Sequence, residues 1–170
     1  MNEEILDLLE LSLELELKIA ELYRFYSRCF SEDAAFWWKL SMEEGNHAAL
    51  IKSGIQNYAP VDKYPKEMIY PVTEEWKDLL RFIDRQLDQF TKKSPDREQA
   101  VQLAIALENS AGEKHYQNAM EYPEGSRMLK LFQRLNDGDR DHAQRIRHYF
   151  KIEESDSAPD RNGDCQNSGE

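Results

Sequence analysis

Glu44-Gly45-Asn46-His47 and Asp139-Arg140-Asp141-His142 each set a carboxylate and an imidazole three residues apart, inside segments with a helical apolar pattern. Positions i and i+3 of a helix share one face, so each pair can present an oxygen and a nitrogen to the same ion. Two further glutamates, Glu16 and Glu108, sit in otherwise apolar stripes of two other segments. Two helices that each offer carboxylate-x-x-His, and two that each offer one inward Glu, make up the ligand set of a dinuclear metal site in a four-helix bundle. The candidate ligands are Glu16, Glu44, His47, Glu108, Asp139 and His142.

Charge supports this grouping. Burying one unpaired carboxylate costs several kcal/mol, and four converging in one core would repel or take up protons. Two divalent cations cancel four carboxylates and leave both imidazoles as neutral ligands. Carboxylate oxygen with imidazole nitrogen suits two iron ions; manganese or zinc is also compatible. A single Glu-x-x-His is a weak signal, and Glu16 alone in a Glu-rich chain reads as a solvated residue. The inference rests on four helices, the order of the ligands, their core faces and a duplicated spacing.

These residues must be positioned by helices. Residues 2–30 read as the first: Leu9, Leu11, Leu13, Leu15, Leu17 and Ile19 alternate as in a strand, but Leu, Glu, Lys and Ala are strong helix formers. A helical stripe also runs through Ile5, Leu8, Leu9, Ser12, Leu15, Ile19, Leu22, Tyr23, Tyr26 and Phe30. Ser31 is expected to cap a second helix that reaches Asn57, with Trp37, Leu40, Glu44, His47, Ala48, Ile51, Ile55 and Tyr58 as its stripe. Pro60, Pro65 and Pro71 mark residues 59–72 as an irregular connection. Thr73 is expected to cap an additional helix over 74–91, with Trp76, Leu79, Leu80, Ile83, Leu87 and Phe90 inward. Ser94-Pro95 reads as the cap and first position of a helix to Tyr122, carrying Val101, Ala104, Ile105, Glu108, Ala111, Gly112, His115 and Ala119. After Pro123 and Gly125, Ser126 is expected to cap a last helix with Met128, Phe132, Leu135, Asp139, His142, Ile146 and Tyr149 inward.

The pattern repeats internally. Ser12–Glu16 matches Ala104–Glu108, and Leu40, Glu44, His47, Ala48 and Ile51 match Leu135, Asp139, His142, Ala143 and Ile146 at nearly the same offset. Two helix-pair halves imply a pseudo-symmetric bundle joined by a crossover that runs its length. The expected architecture is all-α: one bundle over residues 1–152, then a disordered polar tail over 153–170.

With 170 residues the chain suits one domain, and its 7 Gly and 6 Pro against 32% charged residues are a helical composition. The net charge of −11 disfavours nucleic acid or an anionic membrane as partner and tolerates metal cations. No apolar run approaches the ~18 residues of a membrane span. The acidic start Met1-Asn2-Glu3-Glu4 lacks a signal peptide's basic region, so a cytoplasmic location is expected. Cys29 and Cys165 form no Cys-x-x-Cys pair, which excludes a cysteine zinc or rubredoxin-type site in this chain, and no disulfide between them is expected.

Outside the six ligands, His115 lies roughly 10 Å along the helix from Glu108 and reads as a packed histidine. His148 reads as exposed, Glu21 and Glu113 as surface salt-bridge formers, Tyr26 and Tyr116 as core or rim tyrosines, and Trp37, Trp38 and Trp76 as packing residues. Cys29 reads as a small buried residue. Tyr23 lies two turns from Glu16, within range of the site.

Leu15-Glu16, Ala20-Glu21-Leu22-Tyr23, Met42-Glu43-Glu44-Gly45-Asn46-His47-Ala48 and Ala104-Ile105-Ala106-Leu107-Glu108 resemble the ferritin-like superfamily, specifically its rubrerythrin-type di-iron proteins, over about residues 5–55 and 98–150. The resemblance implies that Glu16 and His47 favour one ion, that Glu108 and His142 favour the other, and that Glu44 and Asp139 bridge. It implies a non-haem di-iron oxidoreductase that reduces peroxide or oxygen. Three departures stand out. Asp139 replaces the usual Glu and reaches about 1.3 Å less far. Ala111 stands where rubrerythrins carry an extra glutamate associated with redox-dependent ligand exchange. No cysteine-rich rubredoxin segment follows, so electrons must come from an external donor protein.

An iron-oxidising, storage or delivery protein is the alternative, predicting a large assembly and more than two irons per chain. A metal-free bundle acting as an interaction module is a third, predicting raised carboxyl pKa values. An oxygenase acting on an organic substrate stays open, and so does a homodimer.

Overall fold

A computed structural model describes residues 3–57, 72–120 and 127–152; the side chains of residues 3–5, 72, 73, 111–120, 128, 129, 132, 136 and 139 lie outside this description. The fold is all-α: α1 (Glu3–Cys29), α2 (Ala34–Asn57), α3 (Val72–Lys92), α4 (Arg97–Met120) and α5 (Arg127–Phe150). The alternating leucines of α1 resolve as helix. Leu8, Leu9, Leu15, Ile19, Leu22, Tyr23 and Tyr26 are buried, while Leu17 is 52% exposed. Residues 58–71, 121–126 and 153–170, which hold the expected irregular connection, the Pro123/Gly125 break, the Ser126 cap and the tail, lie outside the described residues.

Three expected caps are displaced. α2 starts at Ala34, so Asp33 and not Ser31 holds the cap position. The Trp37 N–H donates to the Asp33 carbonyl at 3.1 Å, while the Asp33 carboxylate is taken by Arg97. α4 starts at Arg97 rather than at Pro95, because Asp96 and Gln99 form a capping box: the Gln99 N–H donates to Asp96 Oδ1 at 2.8 Å and the Asp96 N–H to Gln99 Oε1 at 3.4 Å. α3 starts at Val72, which puts Thr73 inside the helix. At the end of α5, Lys151 adopts a left-handed φ of 56°, and the Ile152 N–H closes on the Arg147 carbonyl at 2.9 Å, a Schellman-type stop.

The helices form two antiparallel pairs, α1/α2 and α4/α5, joined face to face by α2 against α5 and α1 against α4. α2 and α4 run in the same direction, so the connection between them must return along the bundle, and α3 makes that return against α1. Phe25 stacks on Phe90 at 6.1 Å, and Lys18 pairs with Asp84 at 2.7 Å. Trp76, Leu80, Ile83 and Phe90 are the buried stripe of α3. At one end of the bundle Tyr23, Tyr26 and Trp37 are fully buried, with Phe36 and Phe150 packed around Trp37. Trp38 departs from its expected packing role: it is 49% exposed, under the Arg24 guanidinium at 5.9 Å. Tyr149 is also exposed, stacked on Phe36 at 4.1 Å. Cys29 is half-buried and free, His148 is exposed, and Glu21 reaches Lys18 at 3.7 Å on the surface.

Arg97 locks this end. Its Nε and NH2 donate to Asp33 Oδ2 and Oδ1 at 2.7 and 3.0 Å, and its guanidinium lies 4.5 Å from the Phe150 ring. Asp33 is 3% exposed, and the fork from Arg97, with the guanidinium charge beside it, holds its carboxyl below the usual range. Removing Arg97 strands a buried carboxylate, although Arg97 itself faces solvent and its share is screened. Arg97→Met is expected to cost about 1–2 kcal/mol, read as a melting temperature lower by roughly 3–6 °C. An unchanged melt would show that the pair contributes nothing.

Candidate metal centre

α1, α2, α4 and α5 each turn one or two polar side chains into the bundle interior: Glu16, then Glu44 and His47, Glu108, and His142. All are buried except His47, which is half-buried. Glu44 lies between the two imidazoles. Its Oε2 is 3.1 Å from His47 Nδ1 and its Oε1 is 2.6 Å from His142 Nδ1. Glu16 Oε2 also approaches His47 Nδ1, at 3.5 Å, and Glu108 Oε2 approaches His142 Nδ1 at 3.6 Å. The rings stack 5.3 Å apart at 15°. Five of the six sequence-derived ligands therefore converge. Asp139 lies in α5 one turn before His142, and its side chain is outside the described residues.

The donor atoms suit a cation. One ligand atom each from Glu44, His47 and His142 lies within 4.8 Å of the others. Ligands held at about 2.1 Å from one ion stand roughly 3.0–3.4 Å from each other. The separations of 3.1, 3.5 and 3.6 Å fall near that range. Glu44 Oε1 and His142 Nδ1, though 2.6 Å apart, are misaligned for a hydrogen bond, and neither has such a partner among the described residues. Buried polar atoms left this way are rare, and here both face the same small volume.

Without a cation, protons take its place. Burial pushes Glu16 up to about 8, with His47 opposing and the Glu44 charge adding to the rise. Burial and the Glu44 charge push Glu108 up to about 7. Burial also acts to raise Glu44, but His142 and His47 outweigh it and hold its carboxyl below the usual range. Burial would lower both histidines, yet Glu16 and Glu44 raise His47 to about 10, and Glu108 and Glu44 raise His142 to about 11.

Four further residues shape the site. The Tyr23 hydroxyl, buried on α1, donates to Glu108 Oε1, and burial with the Glu108 charge keeps its proton on. Glu43 Oε2 lies 3.3 Å from His142 Nε2 and 2.8 Å from Arg145 NH2, ion-pair distances without hydrogen-bond alignment, while Arg145 NH1 donates to Asp141 at 2.9 Å. Gly138 faces the His47 ring: a Cβ there would stand 2.7 Å from Cε1 and 2.8 Å from Nε2. Tyr23 was within expected range, whereas Glu43, Arg145 and Gly138 were not identified. The available signals were a glycine inside a helical pattern and a second carboxylate next to Glu44. No known protein family, characterised protein or solved structure matches the chain.

Both histidines and both outer glutamates bind protons more tightly in the fold than when unfolded. Their stabilisation is complete below the unfolded values of 6.5 and 4.5 and is lost as pH rises through about 7 and 8 for the glutamates and about 10 and 11 for the histidines. Glu44 has the opposite sign, contributing above 4.5 and losing its contribution as pH falls. Chelator-treated protein is therefore expected to melt at progressively lower temperature from pH 6 to pH 10; a flat or rising profile would remove these ion pairs from the stability balance. Gly138→Ala is expected to displace the His47 ring. NMR titration should then show the His47 pKa falling toward 6.5, with His142 little changed. An unmoved His47 would mean that α5 yields instead.

Proposed function

We propose that the chain is a rubrerythrin-like dinuclear metal protein, an oxidoreductase that holds two iron ions and reduces peroxide or oxygen with electrons from a separate donor protein. One observation carries the reading: Glu44 presents one oxygen to each of two imidazole Nδ1 atoms, with Glu16 and Glu108 completing the two sides. Glu16 and His47 would hold one ion, Glu108 and His142 the other, and Glu44 both. Asp139 is proposed as the sixth ligand from its register on α5, one turn before His142. A ferrous pair, when bound, supplies two electrons to an O–O bond. The chain's own residues orient and exclude. Tyr23 fixes Glu108 through Oε1, which leaves Oε2 toward His142. The tyrosine holds its proton at the hydroxyl beside the site. Trp37, Tyr26 and Leu40, all fully buried, are part of the core that keeps bulk water away.

A metal-free bundle is the second reading, favoured by the charge balance of the imidazoles, which as cations neutralise Glu44 and relieve Glu16 and Glu108. Elemental analysis separates the two. Protein expressed with iron and purified without chelator or affinity metal is expected to carry about two metal atoms per chain, the number one bundle site of this kind holds. Glu44→Ala is expected to lose them while keeping its helical circular dichroism. Absence of metal from the native protein would end the oxidoreductase reading and leave the fold standing. Many more than two irons per chain would favour storage.

A further inference from the structure

We propose that Glu43 is the positioning residue for His142: adjacent carboxylates on α2 grip one imidazole of α5 from its two nitrogens. The inference rests on the metal reading above and adds a residue that the sequence pattern does not assign. Glu44 Oε1 faces Nδ1 at 2.6 Å, and Glu43 Oε2 faces Nε2 at 3.3 Å. A neutral imidazole carries one N–H, and which nitrogen keeps it is set by the acceptor that the other groups leave. Glu44 and Glu108 surround Nδ1, so a cation there needs the Nδ1 lone pair, and the proton must then sit on Nε2. Glu43 Oε2, 3.3 Å from Nε2 and, like Glu44 Oε1, buried without an aligned hydrogen bond among the described residues, is the acceptor nearest to take it. Consecutive residues of a helix point about 100° apart, which lets Glu44 face the bundle axis while Glu43 passes around the outer edge of the ring.

Glu43 is itself held. Arg145 NH2 lies 2.8 Å from the same Oε2, and Arg145 NH1 donates to Asp141 at 2.9 Å. Arg145 stands three residues after His142 and Asp141 just before it, so the support returns to the helix that carries the imidazole. The chain His142–Glu43–Arg145–Asp141 thus ties the back of the ring to the surface and couples α2 to α5 at the level of the site. Partners of this kind orient a metal-bound histidine and raise its basicity, and their loss typically costs about 10–100-fold in metal affinity.

The test is titration of metal-free protein with Co(II), followed by absorption, and with Zn(II), followed by calorimetry. Native protein is compared with Glu43→Ala, Glu43→Gln and Arg145→Met, each first shown by thermal melting to be folded. Glu43→Ala is expected to weaken one of the two bound equivalents by about 10–100-fold and leave the other unchanged. Glu43→Gln, which keeps an oxygen acceptor, should recover part of the loss. Arg145→Met, which frees Glu43 without touching the imidazole, should weaken the same equivalent less. In the zinc-loaded native protein, nitrogen-15 spectra should show the His142 proton on Nε2, with its exchange with water faster in Glu43→Ala. Native affinities in Glu43→Ala, equal weakening of both equivalents, or a proton on Nδ1 in the zinc-loaded protein would overturn the assignment. Native protein that takes up neither metal would instead overturn the metal reading, and this inference with it.

Discussion

Three glutamates on three different helices, Glu16, Glu44 and Glu108, are buried in the same bundle interior, and no apolar packing arrangement can satisfy them. Their desolvation is costly, and positive charge must offset it. The two imidazoles are placed to do this whether they act as cations or as the nitrogen partners of a bound ion. Helix positions follow from that requirement. α2 lies where Glu44 meets both rings, α1 and α4 bring one carboxylate to each, and α5 comes close enough to His47 that only hydrogen fits at Gly138. A low-dielectric interior strengthens each of these contacts and makes each unmade one expensive.

A layer of large buried side chains closes the bundle end toward which Tyr23 and Trp37 lie. Tyr23 belongs to both layer and site: its ring packs 5.5 Å from Trp37 and its hydroxyl reaches Glu108. Beyond Trp37, Phe150 lies at 5.4 Å with the Arg97 guanidinium over its ring at 4.5 Å, and Arg97 grips Asp33 just before α2. One continuous set of contacts therefore links the polar centre to the cap position of α2. α3 adds a side wall against α1 and, by returning the chain along the bundle, allows α2 and α4 to run the same way.

Helix existence and the inward faces were legible because both depend on periodicity, which is local and redundant. The stripe of α1 was readable despite its alternating leucines, since the strand period would have buried Leu17 and turned Leu8 and Leu22 to the opposite face, whereas Leu8 and Leu22 are buried and Leu17 is exposed. Helix starts were less legible. Ser31 and Ser94 are good cap residues by type, but Asp33 and Asp96 hold the cap positions because Arg97 and Gln99 are available to them. That preference depends on partners: a residue distant in the chain in the first case, a reciprocal bond in the second. Trp38 was misread for a similar reason. Its type suggests burial, while its register on α2 places it on the outer seam beside Arg24.

From the sequence alone came the all-α class, the inward faces of the described residues apart from Tyr149, the crossover helix, and Glu16, Glu44, His47, Glu108 and His142 as polar groups on those faces. These are properties of single helices, set by residue spacing and by the cost of burying charge. Tertiary structure decided which of those groups meet: that Glu44 lies between the rings, that Tyr23 donates to Glu108, that Glu43 and Arg145 stand behind His142, and that Gly138 makes room for His47. Such pairings depend on the rotation and spacing of helices about one another. A change of a few ångströms or a few tens of degrees separates contact from distance, and local periodicity carries no information at that scale.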